Sequence, residues 1–214
     1  MFLRIGTVLG IALVFATVAR PGDILEVFGH RWSVPLAADW KIDQEEGAPV
    51  LRLLTPRPMT APRRPYQFAL AQTPSFQRVT VEAEVRRRQG SLIIVYAYRD
   101  PAHFNYAHLS IDAAAMAPHH NGIFHVYGGE RVRISSVRGK PSLATTDWHK
   151  VKLEFDGPNG RASVLVDGES NPSLEGVDLS LTEGRVGIGS FFETADFRNV
   201  RITGEPAEVR ISAR

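Results

Sequence analysis

No cysteine occurs anywhere in the 214 residues of this chain. That absence excludes disulfide staples, thiolate metal sites and cysteine nucleophiles. A strong charge of either sign is also missing. The formal net charge is +2 at pH 7, which provides no basic surface of the kind nucleic acid requires, so no nucleic-acid partner is expected. Regular helical periodicity is scarce, and helices should be few. Apolar runs stop short of the roughly 20 residues that a membrane span needs. No H-x-H pair occurs, nor an H-x-x-x-H on a helix, so no metal motif stands out and no cofactor is expected.

What is present suits a folded, soluble domain. The hydrophobic fraction is 43% and the charged fraction 22%, as in ordinary globular proteins. The chain is long enough to build a core without staples. Its first segment, MFLRIGTVLGIALVFATVAR, has a basic start at Arg4 and an apolar run from Ile5 to Ala19, with Thr17 and Ala19 as small residues before a cleavage point. This pattern is that of a secretory signal over residues 1–19. The alternative is an uncleaved N-terminal anchor. The expected location is secreted or periplasmic, with no membrane contact once the signal is removed.

Alternation with period two fills the rest. In RVTVEAEVRR, Val79, Val81, Ala83 and Val85 share one face. SLIIVYAY is apolar on both faces and suits a central strand. In FNYAHLSID, Ala107, Leu109 and Ile111 face one way, while Phe104, Tyr106, His108 and Ser110 face the other. In ERVRIS, Val132 and Ile134 are expected inside and Arg131 and Arg133 outside. Turn chemistry separates these runs: RQGS, YGGE, DGPNG and VDGE supply the residues that tolerate positive φ. Short strands at regular spacing without helices between them predict an all-β fold, a two-sheet antiparallel β-sandwich. One domain is expected over residues 23–204, followed by a flexible tail at 205–214. LTPRPMTAPRRP, Leu54–Pro65, reads as a basic, proline-rich loop. Arg86–Arg88 reads as a solvated edge, and Trp32, Trp40 and Trp148 read as core residues.

The C-terminal half carries a resemblance. TTDWHKVKLEFDGPNGRASVLVDGES, GRVGIGS and ADFRNVRITG, with GSLIIVYAYRDPAHFNYAHLSID before them, resemble the concanavalin A-like lectin/glucanase jelly rolls. Within that group the chain looks most like the 3-keto-disaccharide hydrolase domain family and like laminin G-type domains. The resemblance implies a concanavalin A-like jelly roll with a concave sheet that carries the ligand. It implies a domain that binds, and in the hydrolase family cleaves, a glycan or keto-disaccharide; the laminin G-type alternative is a non-catalytic binding module. The paired-carboxylate pattern E-x-D-x-x-E of the family 16 glycoside hydrolases is absent. Of the N-S-G-I-x-x-R run seen in the keto-disaccharide families, only Arg99 corresponds.

Candidate site residues follow from composition as well. Five of the seven histidines fall between Pro101 and Ser135, namely His103, His108, His119, His120 and His125. Imidazoles titrate near neutral pH, so His108, His119 and His120 are the acid–base candidates, with Glu193 as the carboxylate partner. Tyr96, Arg99, Tyr106, Asn121, His125, Arg131 and Arg133 are the sugar-binding candidates, because aromatic faces stack on pyranose rings and polar groups fix orientation. A zinc held by three histidines and a structural calcium on Asp112, Asp156, Asp167 or Asp196 are weaker alternatives. A solvated sheet with no ligand is the plainest reading of the same residues.

Overall fold

The structure is a computed structural model and describes residues 22–208. The expected signal at 1–19, and the expected tail from 209 onward, lie outside the described residues. Fifteen strands run in chain order: β1 Asp23–Val27, β2 His30–Val34, β3 Trp40–Glu45, β4 Ala48–Leu53, β5 Gln67–Ala71, β6 Phe76–Arg87, β7 Ser91–Asp100, β8 His103–Ser110, β9 Gly122–Tyr127, β10 Arg131–Arg133, β11 His149–Asp156, β12 Arg161–Val166, β13 Glu175–Val177, β14 Arg185–Ser190 and β15 Ala195–Pro206. Only three single-turn 3₁₀ segments interrupt them among the described residues. No helix among these residues is long and apolar enough to cross a membrane.

The strands form two antiparallel sheets. An eight-stranded sheet has the order β1-β2-β5-β14-β7-β8-β9-β10, and a seven-stranded sheet has the order β13-β12-β11-β6-β15-β4-β3. The expected two-sheet sandwich is therefore the observed fold. Its main core lies between the layers. Leu92, Ile94, Ala107, Leu109 and Ile188 from the first sheet meet Val81, Val85, Leu153, Phe155 and Phe197 from the second. The period-two reading placed Val81, Val85, Ala107, Leu109, Leu153 and Phe155 correctly, because each strand must bury one face against the opposite layer. Trp32 and Trp40 are in this core.

Four local expectations are corrected. β6 is a central strand of the seven-stranded sheet, so Arg86–Arg88 is not an edge. Arg86 and Arg88 converge with Arg52 on Asp196, a carboxylate only 1% exposed. RQGS is not a hairpin turn, since it passes from one sheet to the other. Trp148 leaves the core; it lies between the guanidiniums of Arg86 and Arg198, 4.3 and 4.4 Å from its ring centroid. Finally, the last strand continues to Pro206, and Glu205 pairs across to Arg78, so the sheet extends past residue 204.

The eight-stranded sheet also has a second apolar layer on the face turned away from the main core. Phe68, Leu70, Ile93, Val95, Tyr98, Phe104, Tyr106, Phe124, Val126 and Phe191 cluster there. The basic, proline-rich segment 54–66 lies against this face as a strap. Arg57 clamps Asp39 with Nε and Nη2 at 2.5–3.2 Å, and its backbone N–H donates to Gln67 Oε1 at 3.2 Å. The far reach of the strap is tied at the opposite side of the sheet, where the Arg131 N–H donates to the Arg63 carbonyl at 3.2 Å.

Candidate functional site

β8 supplies the spine of the site. Phe104, Tyr106 and His108 alternate onto its outer face, as the period of two dictates. Their rings succeed one another at centroid separations of 6.1 and 6.2 Å. Phe68 and Tyr98 flank Phe104 at 5.7 and 5.8 Å. Phe124 stacks on Tyr106 at 5.3 Å, and Phe191 stacks against His108 at 5.9 Å. The result is a continuous aromatic floor across four strands and the loop after β14.

Tyr98 reaches this floor through a bulge. On a regular strand it would share the inner face with Leu92, Ile94 and Tyr96, as the sequence pattern suggested. Ala97 instead has φ 49°, and the pairing of β7 with both neighbours shifts register at that point. Tyr98 is thereby turned outward while Tyr96 stays inside, packed on Phe155 at 5.0 Å. Burial pushes the Tyr96 phenol well above its ordinary range. Tyr96 is a core residue and not a ligand contact.

One end of the floor is open. A groove of about 370 Å³ is lined by Arg64, Pro65 and Tyr66 of the strap, Phe68 and Leu70 of β5, Tyr98 of β7 and Phe104 of β8, among others. Its lining combines four aromatic rings and one guanidinium with three prolines, Val34, Leu70, Ser33 and Gly22, and holds no carboxylate. Arg185 lies 5.4 Å from the Tyr98 ring at its border.

The other end is basic. Arg131 Nη1 donates to the Tyr106 hydroxyl at 2.9 Å, and its guanidinium lies 4.6 Å over Phe124 and 4.5 Å from Phe191. Arg133 lies 5.0 Å over the same Phe124 ring and donates to the carbonyls of Pro118, His120 and Asn121. Gly122 makes room for it: a Cβ there would fall 2.2 Å from Arg133 Nη1. Burial, then the Arg131 charge, lowers the Arg133 pKa. Burial raises the Tyr106 phenol strongly, against the pull of Arg131.

His108 is 1% exposed, which corrects the expectation of an imidazole displayed on a surface. Its Nε2 lies 2.9 Å from Ser91 Oγ. Ser91 Oγ in turn lies 2.5 Å from Glu193 Oε2, and Glu193 Oε1 accepts from the Gly90 N–H at 3.1 Å. With the serine hydroxyl donating to the carboxylate, its oxygen accepts from His108 Nε2–H, leaving Nδ1 without a well-formed partner. Burial, then the Arg131 and His120 charges, holds the His108 pKa well below its ordinary value. His120 Nδ1 pairs with Asp112 at 2.6 Å, and its ring lies 5.3 Å from that of His108. His119 is exposed beside them, its pKa lowered by desolvation and then by Arg131 and Arg63.

Three further candidates are not part of this face. Asn121 is fully buried with φ 45°, and its amide holds Lys140, Ser142 and Ser173 together, so its role is to lock a loop. His125 points to the opposite face of β9, where it binds Asp178 at 2.9 Å. Arg99 is exposed at the end of β7, outside the groove lining. Asp112, Asp156, Asp167 and Asp196 are each occupied by imidazoles, guanidiniums or amide N–H groups. Among the described residues no group of three or more His, Cys, Asp or Glu side chains is arranged to hold a metal. Sequence reasoning missed Arg63, Arg64, Tyr66, Phe68 and Phe191. The strap's own basic and aromatic composition was the available signal for the first three.

No protein-family model matches the chain, and no curated protein matches it. Solved structures do share its fold. The chain is similar to the carbohydrate binding module CBM66 from Bacillus subtilis, at 15% identity and a TM-score of 0.58, over 81% of this chain and 95% of that one. It is similar to a Bacillus subtilis protein of unknown function with a galectin-like fold, at 16% identity and a TM-score of 0.51, over 86% and 96% of the two chains. A third likeness is to the bifunctional GH43-CE of Bacteroides eggerthii, at 14% identity and a TM-score of 0.52, over 83% of this chain and 24% of that one.

Proposed function

We propose that this jelly-roll sandwich is a carbohydrate-binding domain that takes its ligand on the outer face of the eight-stranded sheet. The observation that carries this reading is the open groove walled by the half-buried Arg64 and Tyr66, with Phe68 and Tyr98, 8% and 9% exposed, at its base. Aromatic rings at the base of an open cleft stack on the C–H faces of sugars, and guanidiniums at its rim orient hydroxyls. The carbohydrate binding module among the structures of like fold agrees with this, as does the sequence resemblance to sugar-handling jelly rolls. The sequence pattern of the first 19 residues adds export to the proposal.

Binding without cleavage is the better-supported form. Glycosidic hydrolysis ordinarily needs two carboxyl groups roughly 5–9.5 Å apart across the scissile bond, and the groove lining holds none. Glu193 is committed to Ser91 and Gly90. The hydrolase reading keeps one observation in its favour, the hydrogen-bonded row Glu193–Ser91–His108. Affinity electrophoresis and calorimetry against a panel of glycans decide the matter. Retardation by at least one glycan, weakened about tenfold or more in Tyr66→Ala, is expected. Failure of every glycan to bind overturns the proposal, and release of reducing ends that is lost in Glu193→Gln moves it to hydrolysis.

A further inference from the structure

Of the seventeen arginines among the described residues, eight form ion pairs with carboxylates. On the outer face of the seven-stranded sheet, Arg52, Arg78, Arg86, Arg88, Arg198 and Arg201 all form ion pairs, with Asp43, Glu45, Glu82, Glu84, Asp156, Asp196 or Glu205 among their partners. The basic end of the aromatic floor is built differently. Among the described residues, no ion pair involves Arg63, Arg131 or Arg133. The nearby carboxylates are spent elsewhere, Asp112 on His120 and Glu193 on Ser91 and Gly90.

Unneutralised cations are costly to gather in a partly desolvated place. Cation–π contact with Phe124 and Phe191 offsets only part of that cost. One buried donor at this end also has no partner, Arg63 Nε. Arg63, Arg131, His120 and Arg133 all act on the exposed His119 ring, so their fields converge at one accessible point. Such a corner is complementary to a negative group, since guanidinium forks match the geometry of carboxylates and sulfates. The chain also connects it to the sugar groove: Arg63 belongs to the corner, and Arg64, the next residue, lines the groove.

We propose that this corner is an anion subsite that makes the domain selective for acidic saccharides. The ligand's carboxylate or sulfate is held by Arg63 and Arg131 while its rings lie in the adjoining groove beside Tyr66. This specificity rests on the carbohydrate-binding reading above.

The test is calorimetry on the full mature chain with matched pairs: oligogalacturonate against its methyl ester, and dextran sulfate against dextran, with inorganic polyphosphate as the non-sugar anion. Tighter binding of one acidic member than of its neutral twin, by tenfold or more, is expected, and which pair responds tells carboxylate from sulfate. The preference should fall about tenfold in Arg63→Gln and in Arg131→Gln, and persist in Arg161→Gln, which removes an exposed charge on the other sheet. Arg131 also supports Tyr106, whereas the Arg63 side chain can be changed without touching the carbonyl that anchors the strap, so the Arg63 variant keeps the test valid if the other unfolds. Equal affinity for acidic and neutral twins, or a preference that survives both substitutions, overturns the inference and leaves carbohydrate binding standing. Polyphosphate binding as tightly as the acidic glycans overturns it too, because the corner would then read charge alone. Binding of no glycan at all removes the carbohydrate reading with it.

Discussion

His108 shows how much a single position depends on what surrounds it. Buried and beside Arg131 and His120, it is held neutral in the folded state, whereas the unfolded imidazole titrates at about 6.5. The unfolded chain therefore binds the proton more readily than the folded one below that pH. Stability is full above about pH 6.5 and is lost as the pH falls toward the depressed folded value, at up to about 1.4 kcal/mol per pH unit from this group. Urea denaturation at a series of pH values should show this slope in the wild type and a shallower one in His108→Gln, whatever the absolute stability of the variant. Asp196 is the opposite case, a buried carboxylate surrounded by Arg52, Arg86 and Arg88. Asp196→Ala leaves three cations around an empty centre. It should cost about 3–5 kcal/mol, read as a lowered denaturation midpoint.

Among elements, the strap and the bulge decide what the outer face looks like. The strap is pinned at one end by the Arg57–Asp39 clamp and by Gln67, which also donates to Asp39 at 3.2 Å. Asp39→Ala should loosen the strap without dismantling the sandwich. The expected signature is faster tryptic cleavage after Arg63 and faster amide exchange confined to residues 54–66, with a stability loss of about 1–3 kcal/mol. The bulge at Ala97 depends on Gly184, whose hypothetical Cβ would fall 2.2 Å from the Ala97 carbonyl carbon and 2.4 Å from the Tyr98 nitrogen. Gly184→Ala must push β7 away. It should cost about 1–3 kcal/mol and weaken glycan binding through displaced Tyr98, even though residue 184 is not in the groove lining. Calorimetry of binding alongside thermal denaturation separates the two effects.

For the whole molecule, the sandwich is assembled from strands far apart in sequence. β6 pairs with β11 and β15, and β14 is inserted between β5 and β7. Folding should accordingly be slow for a domain of this size, on the order of milliseconds to seconds or longer, and stopped-flow tryptophan fluorescence would measure it. Sub-millisecond folding would contradict the non-local topology. Much of this architecture was legible beforehand. The alternation along 79–85, 107–109 and 151–155 names residues that do line the inter-sheet core, whereas Ile111, read as their neighbour on that face, lies just past the end of β8 and is 42% exposed. The facing of Tyr106, Arg131 and Arg133 onto one side of the sheet was readable too, because positions alternate on regular strands, but Tyr106 is fully buried there and Val132, expected inside, is 60% exposed. Tyr96 and His125 were misassigned to the site because a strand pattern reports two faces and does not say which of them meets a ligand.

Local chemistry in the chain determined the strands, their turns, the face each side chain takes and the absence of disulfides, since these depend on backbone sterics and on burying alternate residues. Tertiary structure alone decided that segment 54–66 crosses the aromatic face and that Ala97 flips Tyr98 outward. It also decided that Asp196 answers three arginines while Arg63 and Arg131 pair with no carboxylate among the described residues. Those outcomes depend on which distant segments share a space, and compensation of charge is a property of neighbours in three dimensions that no linear spacing encodes.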